Sequence, residues 1–361
     1  MRIAFYAPLK SPHHQVPSGD RLMARLLMAA LVAAGHRVEL VSELRSFSRE
    51  PAGHAAIRGQ AEAERARIAD LWTRHGQPDL WFTYHPYYKA PDFLGPPLSS
   101  LAGIPYVTAE ASYAPRRNGQ GWADQQAELL GGLRQAALNI CMTERDRDGL
   151  AAADSDMRLA LLPPFLDAQL FLATEPAPVP GRLAAVAMMR PGDKLESYRA
   201  LAAALKTVRQ PFTLDIIGGG PCRQEVEAIA AAAAPGRVRF LGELPRESVA
   251  EALSRAALYV WPGCGEAYGL AYLEAAAAGV PAIAYRTAGV PAVVADGESG
   301  LLVEDADPAA LGAAIDRLLD NEPERRRLSA GARAMVKRER TVEAAATRLG
   351  RWLDEIMEKK Q

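Results

Sequence analysis

The chain has 361 residues, 49% of them apolar and 24% charged, with 42 lysines and arginines against 43 aspartates and glutamates. That describes a globular protein long enough for two or three domains, and a formal net charge of −1 excludes one that grips nucleic acid through a basic surface. The three cysteines, Cys141, Cys222 and Cys264, are too scattered for a metal site or a disulfide framework, which suits a reducing cytoplasm.

In chain order, "MRIAFYAPLK" opens on a strand (2–7) with no apolar signal core. No run is long enough to cross a bilayer, so a cytoplasmic protein is expected, with peripheral contact at the inner face of a membrane left open. Further short, β-rich runs follow at 37–42, 79–84, 105–109, 138–142 and 158–163, then at 183–189, 212–218, 238–242, 258–262, 281–285 and 300–304. Amphipathic or alanine-rich stretches such as 19–35 and 60–76 lie between them. Alternation of this kind predicts parallel sheets wrapped by helices. Six strands per half predict two Rossmann-like doubly wound domains, facing each other across a cleft.

The proline-rich "ATEPAPVPG" (173–181) marks the boundary. The expected division is a Rossmann-like domain over 1–172, a linker over 173–182, a second Rossmann-like domain over 183–340, and a helix over 341–361 packing back on the first domain. All six histidines fall in the first half, so the halves have different tasks.

Ligands of open α/β sheets sit beyond the carboxyl ends of the strands. The loop "GCGEAYG" after the strand at 258–262 therefore draws attention, because it leads into an alanine-rich helix that carries a second acid. Glu266 and Glu274 stand eight apart in an apolar setting, and buried acids need partners. The helix start offers free N–H groups and a positive dipole end to phosphate or sugar oxygens.

The E-x7-E of "EAYGLAYLE", with the "AAAAGVPAIAYRTAGVPAVVADGESGLLVEDADPAALGAAIDRLL" that follows it, resembles the retaining glycosyltransferases of family 4. Similarity is strongest over 183–320 and weaker over the first half. The resemblance implies the GT-B fold, with the first domain (1–172) binding the acceptor and the second (183–340) holding a nucleotide-sugar. It implies that Glu266 binds donor-sugar hydroxyls, that the backbone of Ala267, Tyr268, Gly269 and Leu270 reaches sugar and phosphate, and that Glu274 binds the ribose.

It also places Arg190 and Lys194 of "MMRPGDK" against the diphosphate, where they stabilise the leaving group. The spacing here is R-x3-K where the family has R-x4-K, and Asp193 is an alternative partner for either cation. Gly219 and Gly220 of "IIGGGP" suit close backbone approach near the nucleotide, and the resemblance makes "FLGELP" (240–245) the loop that usually meets the base. Gly19, at the start of a helix, would let donor phosphates and acceptor near the backbone.

The chain departs from the family at Glu110, where many members have a histidine, and at Ala292, where a glutamate is usual. Glu110 is assigned a catalytic role, orienting the acceptor hydroxyl or accepting its proton. His13, His14, His85, Arg116 and Arg117 are candidates for acceptor binding. With Arg190 and Lys194 available and no DxD-type motif in the loops, no metal or other cofactor is expected. The implied activity is hexosyl transfer, with retention, from a nucleotide-diphosphate sugar to a sugar or lipid-linked acceptor hydroxyl, in envelope polysaccharide or glycolipid synthesis. A nucleotide-sugar epimerase and a non-catalytic nucleotide-sugar binder are the alternatives. A dehydrogenase is the least favoured, since neither half has a nicotinamide fingerprint.

Overall fold

A computed structural model describes residues 1–16 and 18–360. The chain divides into two compact units, one of residues 1–163 with 342–361 and one of residues 164–341.

The first unit is built on six parallel strands, β1 (Arg2–Tyr6), β2 (Arg37–Leu40), β3 (Leu80–Tyr84), β4 (Tyr106–Ala109), β5 (Leu138–Cys141) and β6 (Leu159–Leu161), in the order β2-β1-β3-β4-β5-β6. Helices α1 (Gly19–Ala33), α2 (His54–His75), α3 (Gly95–Ala102), α4 (Ala123–Gln135) and α5 (Glu144–Ala153) connect them. Central strands read as continuous apolar runs because both faces are covered, and every residue of β3, β4 and β5 is buried. The outer strand β2 alternates exposed and half-buried residues instead. Ser18 starts α1 by accepting from Arg21 N (3.2 Å), with Asp20 in the first turn.

The second unit contains β7 (Arg182–Val186), β8 (Thr213–Ile217), β9 (Val238–Gly242), β10 (Leu258–Val260), β11 (Ala282–Tyr285) and β12 (Gly300–Val303), ordered β12-β11-β10-β7-β8-β9 and all parallel. Its helices are α6 (Gln169–Ala173), α7 (Asp193–Leu205), α8 (Arg223–Ala233), α9 (Arg246–Ser254), α10 (Leu270–Ala277), α11 (Pro308–Asp320) and α12 (Glu322–Glu339). In both sheets the winding reverses beside the first strand of the unit, between β1 and β3 and between β7 and β10. Crevices at such reversals are where doubly wound sheets hold ligands.

Segment 164–182 belongs to the second unit. Phe165, Leu166 and Phe171 are buried there. Where a linker was expected, the proline-rich run lies along the unit's edge: Ala177 N donates to Ser254 O (2.8 Å) and Val179 N to Arg255 O (2.9 Å). Arg333 donates to Thr174 O (3.1 Å) and also to Leu172 O. Proline has no backbone N–H, and Ala177 and Val179 between the prolines supply the donors. The C-terminal helix α13 (Val342–Glu358) packs on α1, with Gly350 close to Ala34, and Arg158 pairs with Glu355 (2.8 Å). Residue 361 lies outside the described residues.

Candidate active site

The densest set of functional candidates lies at the reversal between β7 and β10. Strand β7 delivers Arg190 and Lys194, and β10 delivers Trp261 and the loop 263–269. Gly263, Gly265 and Gly269 all have positive φ (78°, 64° and 79°), which is why this turn is glycine-rich. Gly289 clamps the turn from the next loop. Its N–H donates to Glu266 O (3.1 Å), and a Cβ there would overlap the carbonyl of Ala267.

Within this frame Lys194 Nζ pairs with Glu266 Oε1, to which Trp261 Nε1–H also donates (3.1 Å). The ammonium also lies 5.7 Å from the centre of the Trp261 ring, which Tyr198 meets edge-on at 4.8 Å. Both charges are largely shielded from water, so the pair is oriented rather than mobile. Asp193 takes neither cation, and its carboxylate packs against Gly265. Arg190 is exposed and makes no ion pair among the described residues. The N–H groups of Ala267, Gly269 and Leu270 donate to no group among the described residues.

Glu274 sits one turn into α10 between the buried Leu273 and Ala275. Burial pushes its carboxyl up to about 7, only partly offset by the more distant charge of Arg246. Among the described residues its side chain has no hydrogen-bond or ion-pair partner. Arg246 itself is engaged with Asp167 (3.0 Å) and stacks on Phe171.

The triple glycine serves the protein's own packing. Gly218 and Gly220 adopt φ of 132° and 147°, and a Cβ at either would overlap the carbonyl of Ala187 or Met189. Gly219 returns a hydrogen bond, its carbonyl accepting from Met189 N (2.8 Å), and faces the Glu243 side chain of the 240–245 loop. The close backbone approach expected there is therefore made to the chain extending from β7.

In the first unit, the reversal between β1 and β3 joins Asp20 to His85. His85 Nδ1 lies 3.1 Å from Asp20 Oδ1. The last register pair of β3 and β4 is Tyr84 with Ala109, so His85 and Glu110 come next, side by side. Both adopt the left-handed conformation (φ 58° and 57°) that non-glycine residues rarely hold. His85 N donates to Ala109 O (2.8 Å) and Glu110 N to Ile140 O (2.8 Å), which fixes these backbones. Burial alone would lower the His85 pKa, but Glu110, Asp20 and Asp146 together raise it above the ordinary value. His85 lowers that of Asp20 in return, against the effect of its burial.

Gly19 is exposed, and a Cβ there would meet nothing within 4 Å, so the protein itself sets no steric demand for glycine. His13 pairs with Glu43 at the surface (3.3 Å), and His14 Nδ1 accepts from Val16 N (3.1 Å). Arg117 donates to Gln120 Oε1 (2.6 Å) and stacks over Tyr88, whereas exposed Arg116 makes no ion pair among the described residues. Neither arginine pairs with Glu110. No group of three or more His, Cys, Asp or Glu side chains among the described residues is arranged to hold a metal.

Residues 195–335 match the family model of glycosyl transferases group 1. A D-inositol 3-phosphate glycosyltransferase of Acidothermus cellulolyticus is 29% identical over 274 residues, 68% of this chain and 61% of that protein. The match thus spans about three fifths of that relative's length. Among solved structures, a sucrose-phosphate synthase from Thermosynechococcus elongatus superposes with a TM-score of 0.74 at 21% identity, covering 99% of each chain. HepE from Anabaena, solved in complex with UDP, gives 0.74 at 16% identity over 98% of this chain and 100% of that one.

The chain has the GT-B fold.

Its two GT-B domains are the two six-stranded units described above. The matched family segment includes Glu266 and Glu274 but starts one residue after Lys194, so Arg190 and Lys194 stand on geometry alone. Sequence reasoning missed Trp261, Tyr198 and Asp20. The indole of the "YVWP" strand end was available as a signal, while Asp20 follows Gly19 with nothing nearby in sequence to mark it.

Proposed function

We propose that the protein is a glycosyltransferase that moves a hexosyl group, with retention, from a nucleoside-diphosphate sugar to an acceptor hydroxyl. The observation that carries this reading is Glu274, a poorly hydrated carboxylate with no hydrogen-bond partner among the described residues, one helix turn past amides that are also unpaired. A ribose offers two adjacent hydroxyls to such a carboxylate, and a diphosphate offers oxygens to such amides.

The second unit holds the donor. Glu274 takes the ribose, the amides of residues 267–270 and the cations of Arg190 and Lys194 take the diphosphate, and Glu266 takes the sugar. The Lys194–Glu266 pair presets both side chains, so little order is lost on binding. Trp261 holds the carboxylate in place. Gly219 and Gly220 hold the wall beside the base, with Glu243 next to them.

In the transfer, the bond from the sugar's anomeric carbon to the phosphate oxygen breaks and a bond to the acceptor oxygen forms on the same face. The acceptor proton goes to the departing phosphate oxygen. Arg190 and Lys194 stabilise the charge that grows on the diphosphate, so the proposal needs no metal. Glu110 orients the acceptor hydroxyl, Gly19 leaves room beside it, and His13, His14, His85, Arg116 and Arg117 are the available acceptor contacts. The names of the relatives favour transfer over isomerisation or simple binding. A sugar, polyol or lipid-linked acceptor at the inner face of a membrane fits the same chemistry.

The test is purified protein with UDP-glucose, UDP-N-acetylglucosamine and GDP-mannose, with and without D-inositol 3-phosphate. We expect nucleotide release with at least one donor, and a product of unchanged anomeric configuration by NMR. Absence of both binding and turnover with every donor would sink the reading. Glu274→Ala should weaken nucleotide binding roughly 10- to 100-fold by calorimetry, the scale of losing hydrogen bonds to a charged group. Unaltered affinity would refute its ribose role.

A further inference from the structure

The reversal between β1 and β3 carries a constellation that the donor chemistry does not use. Three features coincide there. His85 and Glu110 leave neighbouring strands side by side, and both backbones are held left-handed. Asp20, in the first turn of α1, fixes the imidazole through Nδ1 at 3.1 Å. His85 Nε2 bonds to no group among the described residues, although the ring is mostly enclosed (19% exposed). Strained, paired backbones are retained where they aim side chains.

We propose that the Asp20-oriented ring of His85 and the carboxylate of Glu110 together bind one neutral hydroxyl of the acceptor, the ring donating through Nε2–H and the carboxylate accepting the hydroxyl's hydrogen bond. A hydroxyl is both donor and acceptor at one atom, so it satisfies this pair. A phosphate is rejected, because it has no hydrogen for Glu110 and meets Asp20, Glu110 and Asp146 as like charges. Any acceptor phosphate therefore binds elsewhere, and the selected group is a sugar or polyol hydroxyl. Here His85 is a substrate-touching residue and Asp20 a positioning residue.

The electrostatics agree. Asp20 from α1, Glu110 from the end of β4 and Asp146 from α5 all favour the charged ring, and Lys10 acts on Asp20 from the β1 loop. Tyr84 and Tyr87 flank the ring at 5.6 and 5.4 Å between centroids. With Nδ1–H committed to Asp20, the charged ring still has a hydrogen on Nε2. Burial works against that charge, and the carboxylates outweigh it.

This inference rests on the glycosyltransferase reading, and the experiment separates the two. The full chain is assayed with UDP-glucose and D-inositol 3-phosphate, and with UDP-glucose hydrolysis, in which water replaces the acceptor. His85→Asn is the chosen variant because asparagine tolerates the left-handed backbone. It should lower kcat for transfer on the order of 100-fold, with donor KM and UDP affinity unchanged. Asp20→Asn should move the alkaline limb of the kcat profile, and the His85 imidazole titration followed by NMR, to lower pH by about one unit or more. Glu110→Gln should lower kcat while leaving UDP affinity intact.

Unchanged kcat in His85→Asn, or an Asp20→Asn profile that overlays the wild type, would overturn the inference. Wild-type protein that neither binds nor turns over any donor would refute the glycosyltransferase reading instead. In that case the acceptor clamp falls with the reading on which it rests, whereas an active wild type with an unaffected His85→Asn refutes the clamp alone.

Discussion

Glu274 keeps a carboxylate one turn inside an apolar helix, and the cost of that placement depends on pH. Its folded pKa of about 7 lies above the ordinary 4.5, so the folded state holds the proton more tightly than the unfolded one. The penalty is absent below pH 4.5, grows between 4.5 and 7, and stays level above. Glu274→Gln should therefore raise stability by about 2 kcal/mol at pH 8, discounting for partial exposure, and by nothing near pH 4. Denaturant titrations at the two pH values check this, and an equal gain at both would contradict it. A buried acid that weakens the fold fits a role in binding. Glu266 and Glu274 could be singled out in the sequence because both lie on one loop and helix. The Asp20–His85 pair could not, since it spans 65 positions and exists only because β1 and β3 are neighbours in the sheet.

At the scale of elements, all twelve strands were legible from short β-rich runs between helical patterns, and in the central strands full burial on both faces leaves that signature. The ends were less so: the run read as 183–189 is a strand only to Val186, because the chain then turns to meet Gly219 and Cys222. Helix α3 escaped notice because its "GPPLSSLA" begins with prolines, which the first turn tolerates. It is nucleated by Asp92, which accepts from Leu94 N (2.8 Å), Gly95 N (2.7 Å), Thr83 Oγ1 (2.5 Å) and Tyr106 OH (3.1 Å). Asp92→Ala would orphan those buried donors and should cost about 3 kcal/mol or more. At Gly218 the backbone angle and the Ala187 carbonyl both exclude a side chain, so Gly218→Ala should cost about 2–4 kcal/mol. Thermal melts test both, and a loss below 1 kcal/mol in either would refute the packing account behind it.

For the whole molecule, each unit has its own sheet and core, so unfolding need not be one transition. Leu349 of α13 is fully buried in the first unit, and Leu349→Ala should cost that unit about 2–4 kcal/mol. UDP affinity, which the proposed donor site assigns to the second unit, should survive, and its loss in this variant would argue against that division of labour. Binding of UDP at 100 times its Kd should add about 2.7 kcal/mol to the unit that holds it.

The packing of α13 on α1 also has a bearing on synthesis. The first unit is discontinuous in sequence, while the second is one uninterrupted stretch between 164 and 341. The two crossings are stitched by a bridge between Leu166 and Thr341, with Leu166 N donating to Arg340 O (2.9 Å). On a ribosome, residues 1–163 emerge first yet cannot complete their core, because α1 (Gly19–Ala33) waits for a helix that starts only at Val342. The second unit can close beforehand, and in doing so the Leu166–Thr341 bridge brings the two open ends of the first together. The half translated first is thus the half finished last, and through that interval the α1 face needs shielding from other nascent chains.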